Sequence, residues 1–445
     1  MSVKSIPLHA LVLLVGPSGA GKSTLCEQHF RPYEVISTDA IRAELVNDHM
    51  RQDINEIVFD EVRHRAALKL SVGERVVIDA THLKTRDRES SAKIGVDAGV
   101  PVVYLVYDRP LPEKMKTQGW RHGVIIKDKT LVEAHHETFK ANEQAILRGD
   151  NAPNRLVVDA RTDEFVVVQK PNHYDLLTWI KEKGFAGIAV IGDVHNMSEQ
   201  LMDALEYAKE NNLFVVQLGD VVDYGPDPVG TVDFMYDLVT TGRGMMILGN
   251  HERKYKKVIE QLGKAEVEGY ERTEDNITVM FTHGTRETFN VIEALPMEQR
   301  QSWERKFMAL YSLARHHLRI GNLTFVHGAI HPGMLNSYAH RLHGMLENMA
   351  MFGQTDGTKT VDPATGKEFP TRLYDWMDNI PAHQIAIVGH DYSRAVDGNP
   401  DIYTNPNGGK VVFADTGCGK GGPLTMVTVK FTGNDLLKMN EIMRF

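Results

Sequence analysis

Short apolar runs recur along the chain and alternate with longer stretches in which apolar residues return every three or four positions. LVLLV at 11–15, VVID at 76–79 and VVYLVY at 102–107 form one series; IAVIGD at 188–193, FVVQLGD at 214–220 and MMILGN at 245–250 form a second. Unbroken β-branched runs bounded by Gly, Asp or Asn predict strands buried on both faces, and the periodic stretches between them predict helices. The fold class is therefore α/β. Ligands gather beyond the carboxyl ends of strands in open parallel sheets, so the Gly, Asp and Asn residues that close these runs are where chemistry is expected.

A strand-like pair, LVVDA at 156–160 and FVVVQKP at 165–171, ends the first series, and a fresh β-α-β series starts at Gly187. The boundary falls between 171 and 186, dividing the chain into domains 1–171 and 186–445. The Glu-, Arg-, Leu- and Met-rich piece 286–319 reads as a helical insertion, and the Gly/Pro/Thr/Asp-rich stretch 353–371 as a loop.

Composition narrows the classes. The 445 residues are 42% hydrophobic and 24% charged, which suits two or three globular domains and excludes disordered, collagenous and low-complexity chains. Lys plus Arg is 50 against 59 Asp plus Glu, a net charge of −9. A polybasic binder is excluded, and any nucleic-acid partner must be met by local basic patches. Cys26 and Cys418 form neither a disulfide framework nor a zinc spacing, which fits a reducing cytoplasm. The apolar run 10–15 stops at Gly16, far short of the ~20 residues of a membrane span, so a cytoplasmic protein with no membrane partner is expected.

The first candidate chemistry is G-P-S-G-A-G-K-S-T at 16–24, a complete G-x-x-x-x-G-K-S placed between a strand and a helix. Its glycines let backbone N–H groups curl round a phosphate at a helix N-terminus. Lys22 reaches the β/γ oxygens and the Ser23 hydroxyl ligates Mg²⁺. Gly16, Ser18, Gly19, Ala20, Gly21, Lys22, Ser23 and Thr24 are the expected cradle for ATP with Mg²⁺. In T-D-A-I-R at 38–42, Asp39 and Arg42 share one helical face. Asp39 can take the proton of an acceptor hydroxyl while Arg42 binds the acceptor's phosphate; alternatively Asp39 caps the helix. Arg109, Lys114, Lys116, Arg121, Lys127 and Lys129 read either as a basic lid, with Arg121 its arginine, or as a solvated face.

The order of strand, P-loop, T-D-A-I-R and V-V-I-D-A-T-H-L resembles the kinase module of bacterial and phage polynucleotide kinases. The resemblance implies that Lys22, Ser23, Asp39 and Arg42 act on ATP and a 5′-hydroxyl end. His82 stands where that family has Asn.

The second chemistry is spread over five clusters: Asp193-Val-His195, Asp220-Val-Val-Asp223, Asn250-His251-Glu252, His327-Gly and His390-Asp. Asp193 and His195, two apart in an extended chain, point the same way and can grip one cation. Asp220 can bridge to a second, completed by Asn250, His327 and His390. His283 is a rival to His327. The mixed oxygen and nitrogen donors suit Mn²⁺ or another divalent transition metal better than Mg²⁺ or Ca²⁺. Two such ions ~3.5–4 Å apart clamp a phosphate and activate water. His251 is the natural acid for the leaving alkoxide, oriented by Asp223.

These clusters, followed by A-D-T-G-C-G-K-G-G-P-L-T-M-V, resemble the calcineurin-like metallophosphoesterases over 187–430. The resemblance implies metal ligands at Asp193, His195, Asp220, Asn250, His327 and His390, an acid at His251 and the DTG acid at Asp415. Two positions depart from it. Tyr224 replaces the arginine of G-D-x-x-D-R-G, leaving the substrate phosphate to Arg253 or Lys254, and Asn196 replaces a glycine.

An N-terminal P-loop kinase domain plus a C-terminal calcineurin-like metallophosphoesterase α/β sandwich resembles the bifunctional polynucleotide kinase-phosphatases. That resemblance implies end healing in RNA repair: phosphorylation of a 5′-OH and removal of a 3′-phosphate or 2′,3′-cyclic phosphate from RNA or DNA ends. No ligase domain is expected after Phe445, so a separate nucleic-acid ligase would seal the product; a homodimer is compatible with this reading. The alternative joins a small-molecule P-loop kinase to a dinucleoside-polyphosphate hydrolase or a serine/threonine protein phosphatase.

Overall fold

The computed structural model describes residues 3–48, 51, 53–117, 123–126, 128–335, 337–361, 368–432 and 437–445. The chain divides into two compact units, Met1–Lys170 and Pro171–Phe445.

In the first unit five parallel strands lie in the order Val35–Ser37, Val76–Asp79, Leu11–Val15, Val102–Val106, Arg155–Asp159. Leu11, Leu13 and Val15 pack into one core with Val58, Val62 and Phe139 of the helices Asn55–Ser71 and Leu131–Leu147. Val12 and Leu14 pack into another with Leu25, Cys26 and Phe30. A strand covered on both sides has no polar face, which is why it reads as an unbroken apolar run instead of an alternation. The run at 165–171 supplies only the strand Phe165–Val167, which leaves this sheet and pairs with Lys4–Ile6.

The second unit is a sandwich of two five-stranded sheets. One runs Gly244–Met246, Leu213–Gln217, Gly187–Ile191, Thr425–Phe431, Leu437–Arg444; the other runs His317–Ile320, Leu323–Val326, Ile385–Val388, Lys410–Phe413, Asp401–Thr404. Ile188, Val190, Phe214 and Val216 of the first sheet meet Leu323, Phe325, Ile387 and Val412 of the second in a common core. The opposite faces carry helices. Ala189, Ile191 and Val215 pack with residues of Ser198–Glu210, Pro228–Thr240 and Met297–Leu313, and Val326, Val388 and Val411 pack with Met349 and Trp376. Strands Gly187–Ile191, Leu213–Gln217 and Gly244–Met246 are mutually parallel, as are Leu323–Val326, Ile385–Val388 and Lys410–Phe413.

Two element expectations are corrected. The stretch 353–371 is not a loop: Gln354–Val361 and Glu368–Leu373 form an exposed antiparallel hairpin. Its threonines supply the β preference, with Thr371 Oγ1 2.9 Å from Thr358 Oγ1 and 2.8 Å from Thr360 Oγ1. Gly357, at φ 82°, sits where the register shifts, and Pro370 is tolerated because both strands of an isolated pair are edges. The insertion 286–319 is helical over His283–Glu293 and Met297–Leu313, but ends as the strand His317–Ile320. Among the described residues no helix is long and apolar enough to cross a membrane.

Candidate active sites

In the first unit the strand Leu11–Val15 ends at the P-loop, and helix Lys22–His29 starts from Gly21 in the left-handed region at φ 98°. Ser18, Gly19, Gly21, Lys22, Ser23, Thr24, Asp39 and Arg42 all line one cavity of ≈970 Å³. The ammonium of Lys22 donates to Pro17 O at 3.0 Å, and Ser23 Oγ donates to Asp79 Oδ2 at 3.0 Å. Gly16 packs against the chain at Tyr107, where a Cβ would stand 2.0 Å from the carbonyl oxygen. Helix Thr38–Val46 is capped by Ser37, whose Oγ accepts from Ala40 N at 3.4 Å. The capping task thus falls to Ser37 and not to Asp39, whose side chain is half exposed at the cavity. Arg42 is buried; it pairs with Asp39 and donates to Asn55 Oδ1 at 3.1 and 3.0 Å.

Sequence reasoning missed the groups that hold the loop itself. Arg109 donates twice to Gly19 O, at 3.0 and 2.7 Å, and His135 Nδ1 lies 2.9 Å from Ser18 Oγ. Lys114 is not a lid cation: it is fully buried, 2.6 Å from Asp108 Oδ1. Arg121 and Lys127 lie outside the described residues. His82 is a core residue, its Nδ1 2.8 Å from Leu14 O and its Nε2 3.1 Å from Ser91 Oγ.

In the second unit six strand ends meet. Asp193, Asp220 and Asn250 follow the three parallel strands of one sheet; His327, His390 and Asp415 follow those of the other. Backbone strain concentrates there: His195, Asp220, Asp223, Tyr224 and His390 have φ of 51°, 55°, 76°, 69° and 65°, a conformation costly for residues with a Cβ and retained where surroundings over-determine it. The surroundings are tight. A Cβ at Gly389 would stand 2.2 Å from Asp193 Oδ1, and Glu252, fully buried, accepts from the N–H groups of Gly249, Asp220 and Val221 at 2.9, 2.9 and 2.7 Å.

Hydrogen bonding sets the donor set. His195 Nδ1 is 3.0 Å from Val222 O and His327 Nδ1 is 2.8 Å from Leu218 O. A carbonyl only accepts, so each Nδ1 carries a proton, and in the neutral imidazole each Nε2 presents its lone pair. His327 Nε2 faces Asn250 Oδ1 at 3.0 Å and Asp220 Oδ2 at 3.3 Å; His195 Nε2 faces that same carboxylate oxygen at 4.0 Å. Acceptors turned on acceptors in a buried site fit a cation between them. Two groups offer ligand atoms all within 4.8 Å of one another: Asp220, His195 and His251, and Asp220, His327 and His390. Asp193 lies outside both triads; its oxygens accept from His390 N at 3.1 and 3.0 Å. Burial, with Asp415 and Asp220 nearby, pushes the Asp193 carboxyl well above the usual range.

His251 is held differently. Its Nδ1 is 2.6 Å from Asp223 Oδ2, leaving Nε2 directed toward Asp220 at 3.8 Å. Burial works against a charge on this imidazole, but Asp220 and the hydrogen bond with Asp223 overcome it and raise its pKa to about 9.

Residues 186–414 match the family model described as calcineurin-like phosphoesterase. The chain belongs to that family. Residues 11–146 match a model described as AAA domain, so the phosphoesterase carries an N-terminal P-loop kinase-like domain. The family implies divalent metals and the P-loop domain implies nucleotide binding. The bis(5′-nucleosyl)-tetraphosphatase PrpE (asymmetrical) of a Geobacillus species is 25% identical over 248 residues, covering 54% of this chain and 88% of the relative. That of Oceanobacillus iheyensis is 26% identical over 248 residues, covering 54% and 86%. Among solved structures, a metallophosphoesterase from Sphaerobacter thermophilus aligns over 58% of this chain and 87% of its own at 15% identity and TM-score 0.31. The Pnkp1/Rnl/Hen1 RNA repair complex aligns over 65% and 94% at 16% identity and TM-score 0.28.

Three features of this phosphoesterase site were not legible in its motifs. Thr285 Oγ1 donates to Asp223 Oδ2 at 2.9 Å, and Thr288 Oγ1 accepts from Asp223 N at 3.2 Å and Asn196 Nδ2 at 2.8 Å; both threonines come from the inserted helix His283–Glu293. Arg372, on the hairpin read as loop, donates to His390 Nε2 at 3.1 Å. Arg253 turns instead to Asn348 and Glu347, and Lys254 to Thr282. Tyr224 packs edge-on to His195, ring centroids 5.0 Å apart.

Proposed function

We propose that this enzyme heals nucleic-acid ends, phosphorylating a 5′-OH with ATP and removing a 3′-phosphate or 2′,3′-cyclic phosphate. The observation that carries the reading is the placement of Asp39 in the same cavity as Lys22 and Ser23, paired with Arg42, which in turn donates to Asn55. Asp39 takes the proton of the acceptor hydroxyl as its oxygen attacks the γ-phosphorus, and Lys22 balances charge on the phosphates as ADP leaves. Ser23 and Asp79 would hold Mg²⁺, which supplies further charge neutralisation when bound. Arg121 is assigned as the lid arginine.

In the second site Asp193, His195, Asp220, Asn250, His327 and His390 would hold a pair of Mn²⁺ or similar ions, which when bound supply Lewis-acid polarisation of the phosphate and acidify water. His251 donates its Nε2 proton to the leaving oxygen, and Asp223 keeps that imidazole oriented. Arg372, against His390 and 3.6 Å from Asp391 Oδ2, is the guanidinium assigned to grip the phosphate in place of the arginine that is Tyr224 here.

The test is a paired assay on an oligoribonucleotide with 5′-OH and 3′-phosphate ends and on its deoxy twin, with ATP and Mg²⁺ or Mn²⁺. Transfer of label to the 5′ end and loss of the 3′-phosphate are expected; label reaching only nucleosides or metabolites overturns the kinase reading. A second reading has a specific observation behind it. The tetraphosphatase relatives are covered over 88% and 86% of their length, so the phosphoesterase unit would split a dinucleoside polyphosphate. Diadenosine tetraphosphate cleaved with a far higher kcat/KM than any 3′-phosphorylated strand would establish it over end healing.

A further inference from the structure

Buried arginines in this protein normally face carboxylates: Arg88 is 2.6 Å from Asp150, Arg75 2.7 Å from Glu34 and Arg272 2.8 Å from Glu293. Arg315, buried, and Arg341, partly buried, hydrogen-bond to carbonyls instead. Arg315 is 3% exposed, with Nη2 donating to Tyr338 O at 2.7 Å, Nη1 3.4 Å from His340 Nδ1, and Nε without a partner. Arg341 donates to the carbonyls of Tyr311 and Ser312, and its buried Nη1 has no partner. Burial, with Arg341 beside it, brings Arg315 down to about 10, and burial lowers Arg341 too. Glu347 offsets part of the Arg341 charge; sequestered guanidinium charge with so little counter-charge is unfavourable, and a further anion relieves it.

The pair belongs to a longer band in which cations alternate with aromatic faces. The Tyr311 ring lies 5.1 Å from the Arg341 guanidinium and 5.4 Å from the Lys256 ammonium. Tyr338 carries Arg319 at 5.9 Å and meets the Tyr174 ring at 5.7 Å. Toward the metal centre, Arg253 sits 5.9 Å from the Phe352 ring, which is 6.5 Å from the ring of His390. Phe352, Tyr338 and Tyr174 are 40%, 43% and 78% exposed, large apolar faces left to solvent. Acidic neighbours are few among the described residues: Glu347 is 3.6 Å from Arg253 Nε, and Glu260 pairs with Lys256.

We propose that this band is a track for single-stranded nucleic acid, leading away from the metal centre, with phosphates met by Arg341 and Arg319, Arg315 adding positive charge from the interior, and bases stacked on Tyr338, Tyr174 and Phe352. Alternating cations and open rings are what a flexible strand engages irrespective of sequence, whereas an isolated phosphomonoester has no use for them. The proposal rests on the end-healing reading and names its substrate as a strand rather than a nucleotide.

Two measurements on the full chain test it. A 5′-phosphorylated strand of about ten nucleotides carrying 4-thiouridine, irradiated with the enzyme and digested, is expected to crosslink to peptides containing Tyr338 or Tyr174. The kcat/KM for 3′-phosphate removal is expected to rise about tenfold from a mononucleoside 3′-phosphate to a strand of roughly six nucleotides. The double variant Arg319→Ala/Tyr338→Ala should lose most of that rise through KM, with hydrolysis of an aryl phosphate as the reference, and Arg341→Gln should do the same should the double variant fold poorly. Crosslinks confined to residues before Lys170, or length-independent kcat/KM on 3′-phosphates, overturn the track and leave end healing standing. Release of phosphate from an aryl phosphate but from no 3′-phosphorylated strand overturns end healing, and the crosslink positions then decide the track alone.

Discussion

The two sites of this chain handle the same chemical object, a phosphate, with opposite constructions. The P-loop is contiguous: Gly16 to Thr24 needs one strand before it and one helix after it, and the cavity it lines is open, ≈970 Å³. The metal site is assembled from strand ends of two sheets, is buried, and holds His195, Asp220 and His390 in left-handed backbone conformations. Backbone N–H groups with Lys22 and Ser23 from the same short segment form the first, because a nucleotide brings its own charge and shape. The second must be over-determined, since it confines carboxylate and imidazole lone pairs that repel one another until a cation joins them. Tolerance to change should differ accordingly.

The largest effects come from breaking one site and reading the other. Asp220→Asn is expected to lower phosphate release by at least about 10³-fold while ATP-dependent phosphorylation stays near wild type, and Lys22→Ala to do the reverse. Loss of both activities from either change, in protein with an unaltered circular dichroism spectrum, would contradict two independent sites. Next is His251→Ala, for which a loss of roughly 10²–10⁴-fold is expected on alkyl phosphates, whose leaving oxygen needs a proton. An aryl phosphate with an acidic phenol should be far less affected; equal losses on both would remove His251 from the acid role.

Arg372→Ala should raise KM for phosphomonoesters about tenfold or more with a smaller change in kcat, and an unchanged KM returns the phosphate-gripping task to Arg253 or Lys254. Thr285→Val acts on the site through Asp223 and should cost about tenfold, confined to substrates that need the His251 proton. Rescue by Thr285→Ser separates this positioning role from a packing defect.

The smallest expectation concerns stability in the P-loop unit. Burial lowers His9 and His82 to about 4, so the folded unit keeps them neutral while the unfolded chain takes up protons below about 6.5. The unfolded state then binds more protons, and stability is lost as pH falls from 6.5 toward 4, by about 2 kcal/mol per histidine at pH 5. Calorimetry should show the transition of this unit dropping on acidification and His9→Gln flattening the slope; an unchanged slope would mean that His9 titrates normally.

Much of this is legible in the order of residues. Gly16 to Thr24 is a local motif whose function depends on its own backbone, and the runs 11–15, 188–193 and 214–220 announce buried parallel strands because their apolar stretches leave no face suited to water. The closing Asp193, Asp220 and Asn250 can be read for a related reason, since topology forces strand ends to one edge. Composition misleads at 353–371, where Gly and Pro signal a loop but isolated edge strands accept both. It also misleads at Lys114, whose charge is spent inside the fold on Asp108.

What the chain order alone determined, then, is everything carried by short-range periodicity and spacing: two α/β units, the phosphate loop, and the residue types able to bind metal. Only tertiary structure decided that Thr285 and Thr288 brace Asp223, that Arg372 reaches His390, and that Arg315 and Arg341 take carbonyls for partners. Those contacts join residues 18 to 65 positions apart, and a partner that distant leaves no trace in local sequence.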